Sequence, residues 1–133
     1  MRTAHTLLLV LAGGAAGGLT RALLVTHEGP GAPWLTWAIN VVGAFTLGLL
    51  LAAWVRPGRS PAWARPLLGT GLLGGFTTFS AVTHAVDRLV ADGDVVLAGG
   101  YLVATVVVGV LAAYAGLVVG GRVAAPDTRG NAA

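Results

Sequence analysis

Gly74-Gly75-Phe76-Thr77-Thr78-Phe79-Ser80 sits in the middle of an apolar stretch running from about Ala64 to Val90. Two glycines followed by hydroxyl and β-branched residues make a poor helix sequence. If the stretch lies in a membrane, this heptapeptide falls near the bilayer centre and has two readings. One is a continuous helix packed on its glycines, with Ser and Thr hydroxyls bonding back to the preceding turn. The other is a helix broken at its middle. Non-helical backbone at that depth is tolerated only where protein or a water-filled path satisfies its N–H and C=O groups, so a break points to an ion or substrate site.

Composition places the stretch in a membrane. The 133-residue chain is 56% apolar and 10% charged, against roughly 25% charged in an ordinary soluble domain. No cysteine is present, which excludes disulfides, thiolate zinc sites and iron–sulfur clusters. His5, His27 and His84 show no metal-ligand spacing. The pI near 10.7 comes from eight Arg against five acids, with no Lys and no basic cluster, so nucleic acid is not an expected partner. The lipid bilayer is.

A crossing helix needs about 20 mostly apolar residues at 1.5 Å each. Four segments qualify: about Thr6 to Val25, Trp34 to Trp54, Ala64 to Val90, and Val95 to Val119. The turn cluster His27-Glu28-Gly29-Pro30-Gly31, the polar loop Arg56-Pro57-Gly58-Arg59-Ser60-Pro61 and Asp92-Gly93-Asp94 separate them. Trp34 and Trp54 fall about 30 Å apart along a helix, the spacing of two interfacial aromatic belts. The expected organisation is an all-α membrane protein, with residues 1–120 forming a four-span unit and 121–133 a disordered tail. Gly13/Gly17, Gly14/Gly18, Gly71/Gly75 and Gly116/Gly120 are small-xxx-small pairs that let helix backbones approach closely.

Chemistry is sparse. A proton-coupled multidrug antiporter of this size needs a carboxylate inside the membrane, but Glu28, Asp87, Asp92, Asp94 and Asp127 fall in loops, the tail or a span end. Ser80, His84 and Asp87 share one helix face, yet a catalytic relay needs members converging from different elements, so no enzyme is expected. A structural membrane subunit is the reading without chemistry. An apolar run continuing past Arg21 to Val25 argues against a cleaved signal peptide. Two residues remain odd for lipid. Asn40 is either interhelical glue or a polar site residue, and Arg21 near a span end either snorkels to the headgroups or serves a site.

Taken together, three blocks resemble the Fluc (CrcB) family of fluoride channels over roughly Leu9 to Gly120. Gly13-Gly14-Ala15-Ala16-Gly17-Gly18-Leu19-Thr20-Arg21 resembles its glycine-rich first helix, and Asn40-Val41-Val42-Gly43-Ala44-Phe45-Thr46-Leu47-Gly48 its second. The heptapeptide at Gly74 is similar to the signature at its third-helix break. The resemblance implies an antiparallel dimer of four-helix subunits, one inverted, with two anion pores that export fluoride passively and confer fluoride resistance. It also implies a central structural Na⁺ held by backbone carbonyls of Gly74 and Thr77 from both subunits. Asn40, Thr78, Phe79 and Ser80 would line or support the pore, with Tyr101 and Thr105 on a polar track and Arg21 near the mouth. Such residue types suit fluoride, which needs close amide and hydroxyl donors, and ring edges, in place of its hydration shell. This chain departs from the pattern at Ala81, Val82 and Gly109, where the family commonly carries a hydroxyl, a second aromatic and a hydroxyl.

Arginine placement bears on the partner. With four spans, Arg2, Arg56, Arg59, Arg65, Arg122 and Arg129 share one side, against Arg88 and at most Arg21 on the other. That bias puts both termini in the cytoplasm of a multi-pass protein of the plasma (inner) membrane. A chain that inserts one way favours an inverted paralogue as second subunit over a dual-topology homodimer, with Ala81 and Val82 as signs of specialisation.

Overall fold

The structure is a computed structural model and describes residues 3–26, 28–29, 33–54 and 60–123. Every element among them is helical: α1 (Thr3–Val25), α2 (Trp34–Trp54), a π-helical segment π1 (Arg65–Leu73), the single turn α3 (Gly74–Phe76), α4 (Phe79–Ala91) and α5 (Val95–Val123). Three of these, α1, α2 and α5, are long and apolar enough to cross a membrane. The remaining apolar stretch is divided among π1, α3 and α4, none of which is long enough alone. Thr77 and Thr78 between α3 and α4 are extended, with ψ of 153° and 125°.

α5 carries on past the expected Val119 to Val123, taking Gly121, Arg122 and Val123 from the segment assigned to the tail. Gly120 is held inside the helix by packing, since a Cβ there would stand 2.4 Å from the Leu49 carbonyl oxygen. The rest of the tail, with Arg129, lies outside the described residues, as do Arg2, His27, Pro30, Gly31, Arg56 and Arg59.

Two helix pairs form the body: α1 lies along π1 and α3, and α2 along α5. Both seams are backbone-to-backbone, and glycine makes them possible. A Cβ on Gly13 would fall 2.1 Å from the Leu67 carbonyl oxygen and one on Gly17 2.0 Å from that of Leu72. Across the second seam, a Cβ on Gly48 would fall 2.1 Å from the Ala113 carbonyl oxygen and one on Gly116 2.0 Å from that of Phe45. A Cβ on Gly14 or Gly18 would instead stand 3.9 Å from its nearest neighbour, an ordinary contact.

α4 docks on α5 through Val82, Ala85, Leu89, Ala98 and Tyr101, with Trp37 and Val86 against them. Its C-terminus closes in a Schellman motif. Gly93 takes φ +89°, Gly93 N–H donates to Val90 O at 3.1 Å and Asp94 N–H to Leu89 O at 2.8 Å. At the C-terminus of α2, the Arg65 guanidinium donates to the Trp54 carbonyl, where cationic donors complement the helix dipole. Only one of the two flanking tryptophans fits an aromatic belt. Trp34 is exposed, whereas Trp54 is buried over Gly69, whose absent side chain makes space for the ring.

Gly17→Ala therefore forces α1 and π1 apart, at a cost of about 1–3 kcal/mol. Thermal scans in detergent should show a lower Tm for Gly17→Ala and an unchanged one for Gly18→Ala, one residue along the same helix.

Candidate functional site

The two extended residues are held by one side chain from another helix. Asn40 on α2 donates from Nδ2 to the Thr78 carbonyl at 2.9 Å, and its Oδ1 accepts from the Thr78 N–H at 2.8 Å. Gly43, three residues along α2, leaves room beside this clamp for the Thr77 methyl group, which a Cβ would meet at 2.2 Å. Thr78 also starts α4 as its N-cap, its hydroxyl accepting from the Ala81 N–H at 3.3 Å.

This clamp changes the helical hydrogen-bond ladder. In an uninterrupted helix the Gly74 carbonyl would accept from Thr78 N–H and the Thr77 carbonyl from Ala81 N–H. Those two donors go instead to Asn40 Oδ1 and Thr78 Oγ1. Both carbonyls are thereby released from the ladder, at a point where Gly74 is exposed and open beyond its Cα. Oxygen donors of this kind suit a hard cation. Among the described residues no group of three His, Asp or Glu forms, so a cation at this position would rely on backbone oxygen.

The break opens onto a groove of about 720 Å³ whose lining includes Asn40, Thr77, Thr78, Phe79, Thr105 and Gly109. One Nδ2 hydrogen of Asn40 serves Thr78, which leaves the second as a donor. The hydroxyls of Thr78 and Ser80 are 3.0 Å apart and hydrogen-bonded to each other. Phe79 projects from the groove edge, 73% exposed. Thr105 lines the wall while its hydroxyl donates to the Tyr101 carbonyl at 2.7 Å.

Tyr101 itself is not brought to the groove. It is 1% exposed, stacks edge-on against Trp34 at 6.1 Å, and donates its hydroxyl to the Pro33 carbonyl at 3.4 Å. Its position near the start of α5 and its packing under Trp34 make it an anchor of the helix ends. Val82 is buried on the groove floor as part of the α4–α5 core. Ser80 and His84 do not pair: Ser80 bonds Thr78, and His84 lines a separate hollow.

That hollow, about 270 Å³, gathers Arg21, Glu28, Thr36, Ala81, His84 and Arg88 at one end of the molecule. Arg21 turns inward, and its Nε donates to the Gly75 carbonyl at 3.3 Å. It thus ties the end of α1 to the last turn before the break, on another carbonyl that a continuous helix would have used. Glu28, assigned from sequence only to a loop, accepts from the Thr36 N–H and from the Thr36 hydroxyl, both at 2.8 Å. The signal for this was an acid shortly before the first turn of a helix, which needs N–H acceptors.

A small helical chain with an interrupted apolar stretch, neutral donors along a groove and arginines at one end has the makings of a membrane ion pathway. Residues 8–117 match the family described as CrcB-like protein, Camphor Resistance (CrcB), and the chain belongs to that family. It is 40% identical to the fluoride-specific ion channel FluC of Sphingopyxis alaskensis, over 86% of this chain and 94% of the relative. The FluC of Phenylobacterium zucineum is 43% identical over 90% and 98%, and FluC 2 of Nocardia farcinica 42% over 86% and 81%.

Removing the Asn40 amide leaves both Thr78 backbone groups without partners, and each orphan costs about 1–3 kcal/mol. Asn40→Ala should lower Tm in detergent clearly, while Thr105→Val, which gives up only a bond to its own helix, should change stability by no more than about 0.5 kcal/mol.

Proposed function

We propose that this chain is a subunit of a fluoride-specific channel that lets fluoride leave the cytoplasm down its gradient and so confers fluoride resistance. The observation that carries this reading is the Asn40 clamp on Thr78, which gathers an amide donor, two hydroxyls and an exposed aromatic ring along one groove. Fluoride holds its water tightly, so a dry path must offer close neutral donors, and Asn40, Thr78 and Ser80 supply them. The positive edge of the Phe79 ring can face the anion as well. A cationic side chain in direct contact with the anion along the path would hold the ion too firmly to let it pass. Membership in a family whose relatives are named as channels makes the role transport, not catalysis.

In this reading π1, α3 and α4 together form the third of four crossings. The ends support it, because the C-terminus of α1, the start of α2 and Arg88 of α4 meet at one hollow, while Arg65 caps the opposite end of α2. The carbonyls of Gly74 and Thr77 would hold a structural Na⁺, whose charge would lock the broken backbone in place. One chain leaves the groove open along a side and Phe79 uncovered, so the path needs a second, inverted subunit to close it. The arginine bias favours a paralogue in that role, with this chain's termini in the cytoplasm.

Liposomes carrying the chain, purified from its own cells with any subunit that accompanies it, should release fluoride. Phe79→Ala should slow that release at least about tenfold, a barrier change of about 1.4 kcal/mol, with the assembly intact. Replacing Na⁺ with a large organic cation should reduce flux or Tm; no effect after exhaustive depletion removes the ion from the account. Full fluoride retention by the unmodified preparation would overturn the channel reading.

Reporter fusions at the C-terminus should show one orientation, cytoplasmic. Equal populations facing both ways would replace the paralogue with a second copy of this chain.

A further inference from the structure

The hollow at the α1 end holds charges that a pore lined by neutral donors does not explain. Arg21 and Arg88 enter it from α1 and α4, and Glu28 from the loop before α2. Among the described residues neither arginine forms an ion pair with a carboxylate, although Glu28 lines the same hollow. The carboxylate is occupied elsewhere. Each of its oxygens accepts one bond from Thr36, one from the backbone N–H and one from the hydroxyl, and the two bonds together fix the direction of the carboxylate.

Thr36 is well placed to compete for that carboxylate. Trp37 N–H donates to the Pro33 carbonyl at 3.0 Å, which makes Pro33 the N-cap of α2 and Thr36 the third residue of its first turn. The N–H groups of that turn lack partners within the helix and carry the positive end of its dipole. A carboxylate that accepts one of them gains a charge-assisted bond. The threonine hydroxyl adds a second, and Thr36 is buried at 4% exposure, so water competes poorly for either. Glu28 is also held from its other side, because its N–H donates to the Val25 carbonyl at 3.0 Å and fixes it to the end of α1.

We propose that Glu28 is a positioning residue whose capture by Thr36 keeps its carboxylate from pairing directly with Arg21 and Arg88, leaving both guanidiniums at the mouth of the pathway unpaired and able to draw anions in. Released from Thr36, the carboxylate shares the hollow with both guanidiniums and can pair with one of them, which weakens the attraction. The proposal rests on the channel reading for its consequence, but the placement of the carboxylate can be tested without any flux. His84 also lines the hollow, and Asp87 of α4 is exposed and does not line it. The latch requires neither.

Thr36→Val removes the hydroxyl at nearly constant shape and frees one carboxylate oxygen. Two measurements read the outcome in the full assembly. Phenylglyoxal labelling of Arg21 and Arg88, mapped by mass spectrometry, should slow several-fold at one or both in Thr36→Val and recover in Thr36→Val/Glu28→Gln, whose amide cannot pair with a guanidinium as an ion. Fluoride efflux should follow the same pattern, falling several-fold in Thr36→Val at about 10 mM ionic strength, where charges act over about 30 Å, and much less at about 1 M. Unchanged arginine labelling in Thr36→Val, or a double variant as protected as the single one, overturns the latch. If labelling behaves as stated but the unmodified protein passes no fluoride, the channel reading fails and the latch stands.

Discussion

One carboxamide holds the break in this chain. Asn40 meets both backbone groups of Thr78 from a different helix, and the arrangement downstream follows from that pair of bonds. In hydrocarbon an unsatisfied N–H or C=O costs several kcal/mol, so an apolar stretch left to itself closes its own ladder and stays helical. An external partner that fits both groups at once removes that pressure. Thr78 can then remain extended and cap α4, and the ladder gives up the carbonyls of Gly74 and Thr77. The same geometry leaves Phe79 at the groove edge and the Ser80 hydroxyl bonded to that of Thr78. A neutral amide does this without placing charge in the path.

Much of this was legible in the residues. The bounds of α2, the place of the interruption and the residue types around it can be read from the poor helix propensity at Gly74 to Ser80 and from the Trp residues at Trp34 and Trp54. What periodicity cannot supply is which way a side chain faces once neighbours are fixed. Gly13/Gly17 and Gly14/Gly18 are indistinguishable as patterns, yet only at the first pair would a Cβ collide with the facing backbone, while the second pair leaves it room. Tyr101 shares a spacing with Thr105 and Gly109 and was read with them, but burial under Trp34 takes it out of the groove. Asn40 reads from sequence as either glue or a site residue, and within the chain it is glue, with one Nδ2 hydrogen not used by the clamp. Glu28 gives only a faint signal, an acid shortly before the first turn of α2, and its pairing with Thr36 depends on a placement that the sequence pattern does not fix.

Glycine explains how so small a chain makes a defined body without the hydrophobic effect that holds soluble cores together. Lipid tails are as apolar as Leu, so helix association rests on dispersion at close range and on hydrogen bonds. Contacts at Gly17 and Gly48 bring backbone against backbone, where dispersion is densest and little side-chain entropy is lost. Those seams bind α1 to π1 and α3, and α2 to α5, and the hydrogen bonds of Asn40 and Arg21 cross from α2 and α1 to the interrupted stretch. Rigid seams matter here because a clamp made of two bonds under 3 Å tolerates little drift between the helices that carry it.

Charge and hydrogen bonding are also divided in space. The arginines gather at the helix ends, where water and headgroups hold the effective dielectric high and a guanidinium attracts an anion without trapping it. Along the groove, where the dielectric falls, the polar groups are an amide, hydroxyls and backbone carbonyls. Coulomb attraction grows as the dielectric falls, so the same arginine moved from the mouth to the break would bind an anion many times more strongly. Arg21 stands at the boundary between the two regimes. Its Nε bond to the Gly75 carbonyl ties the charged head to the edge of the break, and that tether stabilises the helix end next to it.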